Sequence, residues 1–225
     1  MTSDYFLCII INGDLMRVRN IKNKKEILES SSYYISDPCK YKGSWNSLFG
    51  NSNKICLEIG TGKCSFIYEM ARLNPNINFI GIEKIDTVLA FGVKEIEKKE
   101  KLNNLFLINY DAFKVDDIFS SEIDTIYLNF SDPWPKARHE KRRLTNFRFL
   151  EKYDIIFMGD KKINMKTDNR ELFEYSLVSL SKYGYKIIDL SLDLHSKEDY
   201  NNIMTEYEKK FSSKGYKIYM LSAMK

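Results

Sequence analysis

The residues able to do chemistry in this chain fall in two short stretches. The first, I-C-L-E-I-G-T-G-K (residues 55–63), sets a glycine-rich turn between an apolar, β-branched run and an amphipathic stretch. That is the strand–loop–helix arrangement that carries a nucleotide cofactor. Gly60 and Gly62 permit a tight turn and a close backbone approach, because neither has a Cβ to collide with a ligand. A dinucleotide fingerprint would need a third glycine where Ser65 stands, and it would set a pyrophosphate beside Glu58, whose charge repels it. The same carboxylate suits a cationic ligand, such as a sulfonium centre bearing an amino group. Glu83 ends the next apolar run, where a carboxylate can accept both hydroxyls of a ribose, and Asp111 follows the third run in Y-D-A, in place for an adenine amino group.

The second stretch is N-F-S-D-P-W-P-K-A-R-H-E-K-R-R-L-T (residues 129–145), after the fourth apolar run. An acid followed by Pro-aromatic-Pro at a strand's carboxyl end lies at the switch point of a doubly wound sheet, beside the cofactor. Proline fixes the turn, and Trp134 offers a flat face to a nucleobase. Lys136 and the run Arg138, His139, Glu140, Lys141, Arg142 and Arg143 concentrate charge next to that aromatic, as a phosphate-contacting loop would.

Acid, Gly-x-Gly, acid, acid at the ends of successive strands resembles the class I S-adenosylmethionine-dependent methyltransferases. The second stretch is similar, almost letter for letter, to the bacterial type of tRNA (guanine-N7-)-methyltransferase. The resemblance continues through M-K-T-D-N (165–169) and T-E-Y-E (205–208), and so covers nearly the whole chain after Met16. It implies S-adenosylmethionine as cofactor and tRNA as partner, with methyl transfer to N7 of the variable-loop guanosine 46, giving 7-methylguanosine and S-adenosylhomocysteine. It implies Glu58, Gly60, Gly62, Glu83, Asp111 and Asp132 at the cofactor, and Asp132 as the catalytic group. Lys136, Asp168, Thr205 and Glu208 would hold substrate, and the run from Arg138 to Arg143 would meet RNA. Cys64 departs from the pattern, where the family usually has glycine, which bears on helix packing at the cofactor loop.

The chemistry of the residues agrees. N7 of guanine carries a free lone pair, so no general base is needed, and the task is positioning and electrostatics. Asp132 can accept from guanine N1–H and the exocyclic amine, which selects guanine over adenine and stabilises the developing cation. His139 reads as a loop or phosphate-contact residue and His195 as structural. Three rival readings are an exocyclic-amine methyltransferase, a non-catalytic RNA-binding subunit and a nicotinamide oxidoreductase. Against the first, Trp134 interrupts the Pro-Pro pair of adenine N6 motifs; against the second, all the cofactor acids are present; against the third stand Ser65 and the lack of a hydride-site acid.

The elements needed to position these residues are written in the hydrophobic period. Strands are predicted at 54–58, 78–83, 105–109, 125–130, 162–167, 186–191 and 217–221, and helices at 63–73, 86–100, 112–119, 148–157, 170–183 and 200–212. The alternation predicts an α/β fold: a doubly wound, seven-stranded, mostly parallel sheet with helices on both faces. The domain is expected over 54–225. Residues 1–53 are expected to form an extension with a flexible basic arm (Arg17, Arg19, Lys22, Lys24, Lys25), a second place for phosphate contact, in which residues 1–15 precede a second methionine. The stretch 131–147 reads as a long functional loop.

Composition sets the outer bounds. A 44% hydrophobic and 29% charged chain of 225 residues folds in water as one domain. A formal charge of +4 is too small to imply a polyanion partner by itself, so the clustering of charge carries that inference. Four cysteines without a C-x-x-C pair and two histidines suit a reducing cytoplasm and argue against a metal site. The apolar run 5–11 is too short to span a bilayer, and Asp4 stands where a signal peptide carries positive charge. Monomer and homodimer both remain open.

Overall fold

The structure is a computed structural model, which describes residues 7–11, 14–18, 21–196 and 202–225, the first two segments by backbone alone. Residue 200, where the last predicted helix begins, and Arg19 of the basic arm lie outside the described residues. Strands β1 (Leu7–Ile11) and β2 (Asp14–Val18) form an antiparallel pair. The main sheet contains β3 (Ile55–Ile59), β4 (Asn78–Glu83), β5 (Leu105–Asn109), β6 (Ile123–Asn129), β7 (Phe157–Thr167), β8 (Lys186–Ser191) and β9 (Tyr219–Met224). Its order is β5-β4-β3-β6-β7-β9-β8, with β9 antiparallel to both neighbours and the other pairings parallel. The predicted α/β fold is therefore the observed one.

Every residue of β3 and β4 is buried, as expected of largely apolar strands in a parallel sheet with helices over both faces. The alternation of side chains divides the core. Leu57 and Ile80 join Trp45, Ile118, Leu150 and Leu172 on one face, and Cys56 and Phe79 join Leu28, Ile67 and Val93 on the other. The second face is covered by α1 (Lys24–Glu29), α3 (Ser65–Leu73) and α4 (Asp86–Ile96), and the first by α2 (Trp45–Phe49), α5 (Val115–Ile118), α6 (Phe147–Ile156) and α7 (Arg170–Lys182), while α8 (Glu206–Ser212) stands before β9. The chain winds outward from β3 to β5 and returns to β6, so a crevice opens between the carboxyl ends of β3 and β6.

Residues 21–53 are part of this core. Trp45 is fully buried and donates from Nε1 to the Ile118 carbonyl, and Tyr34 bridges to Leu107 beside β5. Glu122 accepts from the amides of Gly43 and Trp45, and Lys24 pairs with Asp86 on α4. The boundaries of several elements also differ from expectation. The 112–119 helix is a 3₁₀ turn (Ala112–Lys114) followed by α5, and the 86–100 helix stops at Ile96. The long loop holds a 3₁₀ helix, Ala137–Arg142. No helix of the described residues is long and apolar enough to cross a membrane.

Candidate active site

The crevice is a cavity of about 930 Å³ at the carboxyl ends of β3, β4, β5 and β6. Glu58, Gly60, Gly62, Glu83, Asp111 and Asp132 all line it. Gly60 and Gly62 have φ of 80° and 56°, and a Cβ on either would meet no protein atom within 4 Å. Their left-handed backbone, more than crowding by the protein, therefore calls for glycine. Cys64 shares that conformation with φ 63°, the physical reason a glycine is at home there. Its thiol is buried against α4, where a Cβ on Gly92 would sit 2.6 Å from Cys64 Sγ and from the Lys63 carbonyl carbon.

Each acid is held differently. Glu58 accepts from Asn129 Nδ2 at 2.9 Å and Thr61 Oγ1 at 2.7 Å, and burial still pushes its pKa up to about 7. Glu83 is buried too, which raises its carboxyl despite hydrogen bonds from the amides of Ile85 and Gly62. Its two oxygens keep further lone pairs for hydroxyl donors. Partial burial acts upward on Asp111, but Lys84 Nζ at 2.7 Å and the Phe113 amide outweigh it and hold the carboxyl below its ordinary value.

Asp132 lacks any such support. Among the described residues its carboxylate has no hydrogen-bond or ion-pair partner, and the protein displacing part of the water around it raises its pKa. It is exposed on the cavity wall, where a ligand can reach it. The turn carrying it is strained: Phe130 and Trp134 adopt φ of 51° and 44°, a conformation that costs of order 1–3 kcal/mol per residue and persists only when the surroundings impose it. Those surroundings are visible. The Phe130 amide donates to the Lys166 carbonyl, and Arg143 donates to the carbonyls of Pro133 and Trp134, both at 3.1 Å, while stacking on Tyr175.

The remaining predicted residues divide. Lys141, Arg142 and Thr205 line the cavity; Lys136, Arg138, His139, Glu140, Arg143, Asp168 and Glu208 do not. Arg142 lies 4.7 Å over the Trp134 ring, and His139 meets that ring edge-on. Asp168 accepts from the Tyr207 hydroxyl. Thr205 and Glu208 form a reciprocal capping box at the start of α8, with Glu208 fully buried.

A family model described as a putative methyltransferase matches residues 52–221. The tRNA (guanine-N(7)-)-methyltransferase of Bacillus subtilis (strain 168) is 50% identical over 206 residues, covering 91% of this chain and 96% of that protein. The chain belongs to the tRNA (guanine-N(7)-)-methyltransferase family. Its counterpart in Lachnoclostridium phytofermentans is 48% identical over 214 residues, covering 93% of this chain and 99% of that one. A crystal structure of the 16S rRNA methyltransferase KamB shares the fold, with TM-score 0.60 at 14% identity over 81% of this chain and 92% of that one.

The site of the methyltransferase also contains residues that sequence reasoning did not single out. Thr61 and Asn129 orient Glu58, and their signal was only a polar residue at the edge of an apolar run. Arg148 lines the cavity with its guanidinium 4.8 Å over Phe113; in the sequence it is only the first residue of a predicted helix. Lys166 sits in the buried carboxyl-terminal part of β7; a charge among apolar residues of a strand was the signal there.

Proposed function

We propose that this methyltransferase transfers a methyl group from S-adenosylmethionine to N7 of a guanosine in tRNA, the variable-loop guanosine 46 being the target. The observation that carries this is the Asp132 carboxylate, which has no hydrogen-bond or ion-pair partner among the described residues and lines one cavity with the cofactor acids and Trp134. The donor set fits the cofactor: two glycines leave an open cradle, and three carboxylates stand at the ends of β3, β4 and β5. Glu58 would hold the amino group, Glu83 the ribose hydroxyls and Asp111 the adenine amine. S-adenosylmethionine, when bound, supplies an electrophilic sulfonium methyl.

Asp132 is an acceptor when ionised. It matches the two adjacent donors of guanine, N1–H and the exocyclic amine, whereas adenine presents an acceptor at N1. Its charge also opposes the positive charge that develops on the base. Because N7 already has its lone pair, the site needs no base. Lys141, Arg142 and Arg148 line the cavity and form no ion pair among the described residues, which leaves them for phosphates, where counterion release supplies affinity.

Mass spectrometry of nucleosides from unmodified tRNA incubated with the protein and S-adenosylmethionine tests the proposal. It should show 7-methylguanosine, absent from a tRNA whose guanosine 46 is replaced by adenosine. A methylated adenosine, or no product, would overturn it.

A further inference from the structure

Lys166 lies on β7 with only 9% of its side chain exposed, paired at 2.6 Å with Glu208, which is wholly enclosed. Exchanging a buried ion pair for apolar residues is often neutral or stabilising, so stability alone does not account for it. The ammonium spends its three donors on one segment of chain: Glu208 Oε2 at 2.6 Å, the Ile203 carbonyl at 2.9 Å and Asn202 Oδ1 at 3.1 Å. Glu208 in turn accepts from Asn202 Nδ2 at 2.5 Å, has His195 Nε2 at 3.2 Å, and closes the capping box with Thr205.

That segment forms one wall of the cavity through Thr205, Glu206 and Tyr207. The opposite attachment is the backbone of Lys166 itself, whose carbonyl accepts from the amide of left-handed Phe130, two residues before Asp132. The two walls meet where Tyr207 packs on Phe130, ring centres 4.9 Å apart. One residue therefore fixes both the turn bearing Asp132 and the first turn of α8.

We infer that Lys166 is a positioning residue for methyl transfer, clamping α8 to the Asp132 turn through Glu208 so that the target base meets a preformed wall. The inference rests on the reading of the site proposed above. In the same role, Glu208 acts through Lys166 and Thr205 without contacting substrate.

The test compares the parent with Lys166→Met and with the double variant Lys166→Met/Glu208→Gln, by single-turnover methylation at saturating tRNA and cofactor, alongside thermal melting. A parent that makes no 7-methylguanosine refutes the proposed function itself, before Lys166 enters. With an active parent, Lys166→Met should melt lower, because it strands a buried carboxylate, and react at least about tenfold more slowly, the scale of loss expected from misplaced reacting groups. The double variant should recover the melting temperature and leave the rate low, since the three-donor clamp is still missing. A double variant at the parent's rate, or a folded Lys166→Met at the parent's rate, would overturn the clamp. If Lys166→Met does not fold, the double variant decides by the same criterion.

Discussion

Replacing Glu58 by glutamine should make the protein more stable and a poorer binder of its cofactor. The carboxyl is held near 7 in the fold against 4.5 in the unfolded chain, because burial disfavours its charge more than Asn129 and Thr61 favour it. A folded pKa above the unfolded one means that the ionised group opposes folding: the cost is absent well below 4.5, grows as pH rises, and is complete above about 7. At about 1.4 kcal/mol per tenfold change in proton affinity, this comes to roughly 3 kcal/mol above neutrality. Glutamine keeps the shape, still accepts from Asn129, and can donate to the Thr61 hydroxyl, which turns to accept. The variant should therefore gain about 2 kcal/mol at pH 8, or roughly 4–8 °C in melting temperature, and under about 1 kcal/mol at pH 5. The proton also competes with a cationic ligand. In the parent, affinity for S-adenosylmethionine should weaken up to about tenfold per pH unit below 7, and the variant should bind weakly at every pH. Urea denaturation and calorimetry between pH 5 and 8 measure both. A variant less stable than the parent at pH 8, or a stability difference that ignores pH, would refute the reasoning.

Three more outcomes follow from neighbouring groups. Arg142→Ala should weaken tRNA binding and reduce the slope of log affinity against log salt by about 0.7–0.9 for each phosphate that the arginine neutralises, with an unchanged melting temperature; fluorescence titrations over a salt series check it. Arg143→Ala removes the brace on the Pro133 and Trp134 carbonyls and should slow single-turnover methylation about tenfold or more while tRNA affinity changes little. Gly92→Ala drives a Cβ to within 2.6 Å of Cys64 and the Lys63 backbone, and should cost about 1–3 kcal/mol in urea denaturation and weaken cofactor binding by displacing the Gly62 loop.

The sheet and its ligand-bearing ends were legible because strands β3 to β6 are largely apolar runs, each ending in or near a carboxylate or a glycine turn. That pattern is local, and so are the motifs. What was not legible depends on interactions between distant segments. Residues 21–53 have no clean period, yet Trp45 reaches the centre of the core and Tyr34 pairs beside β5. Arg142 and Arg143 are adjacent in a charged run, and only the fold separates the one stacked on Trp134 from the one bonded to the turn's carbonyls. Thr205 and Glu208 carry the spacing of a capping box, and the structure forms it; the pairing of Glu208 with Lys166 spans too many residues for spacing to reveal.

The most direct test of a site that works by positioning and charge, without a base, is the pH dependence of single-turnover methylation of unmodified tRNA at saturating cofactor, for the parent and for Asp132→Asn. The account predicts a parent rate that is flat through neutrality and falls only in acid, as Asp132, whose carboxyl partial burial holds above its ordinary value, is protonated. The asparagine variant, which keeps the shape and loses the charge, should be slower by about two to three orders of magnitude wherever Asp132 is ionised, the gap narrowing in acid as the parent loses the same charge. An asparagine variant close to the parent's rate, or a parent rate rising tenfold per pH unit around neutrality, would contradict it.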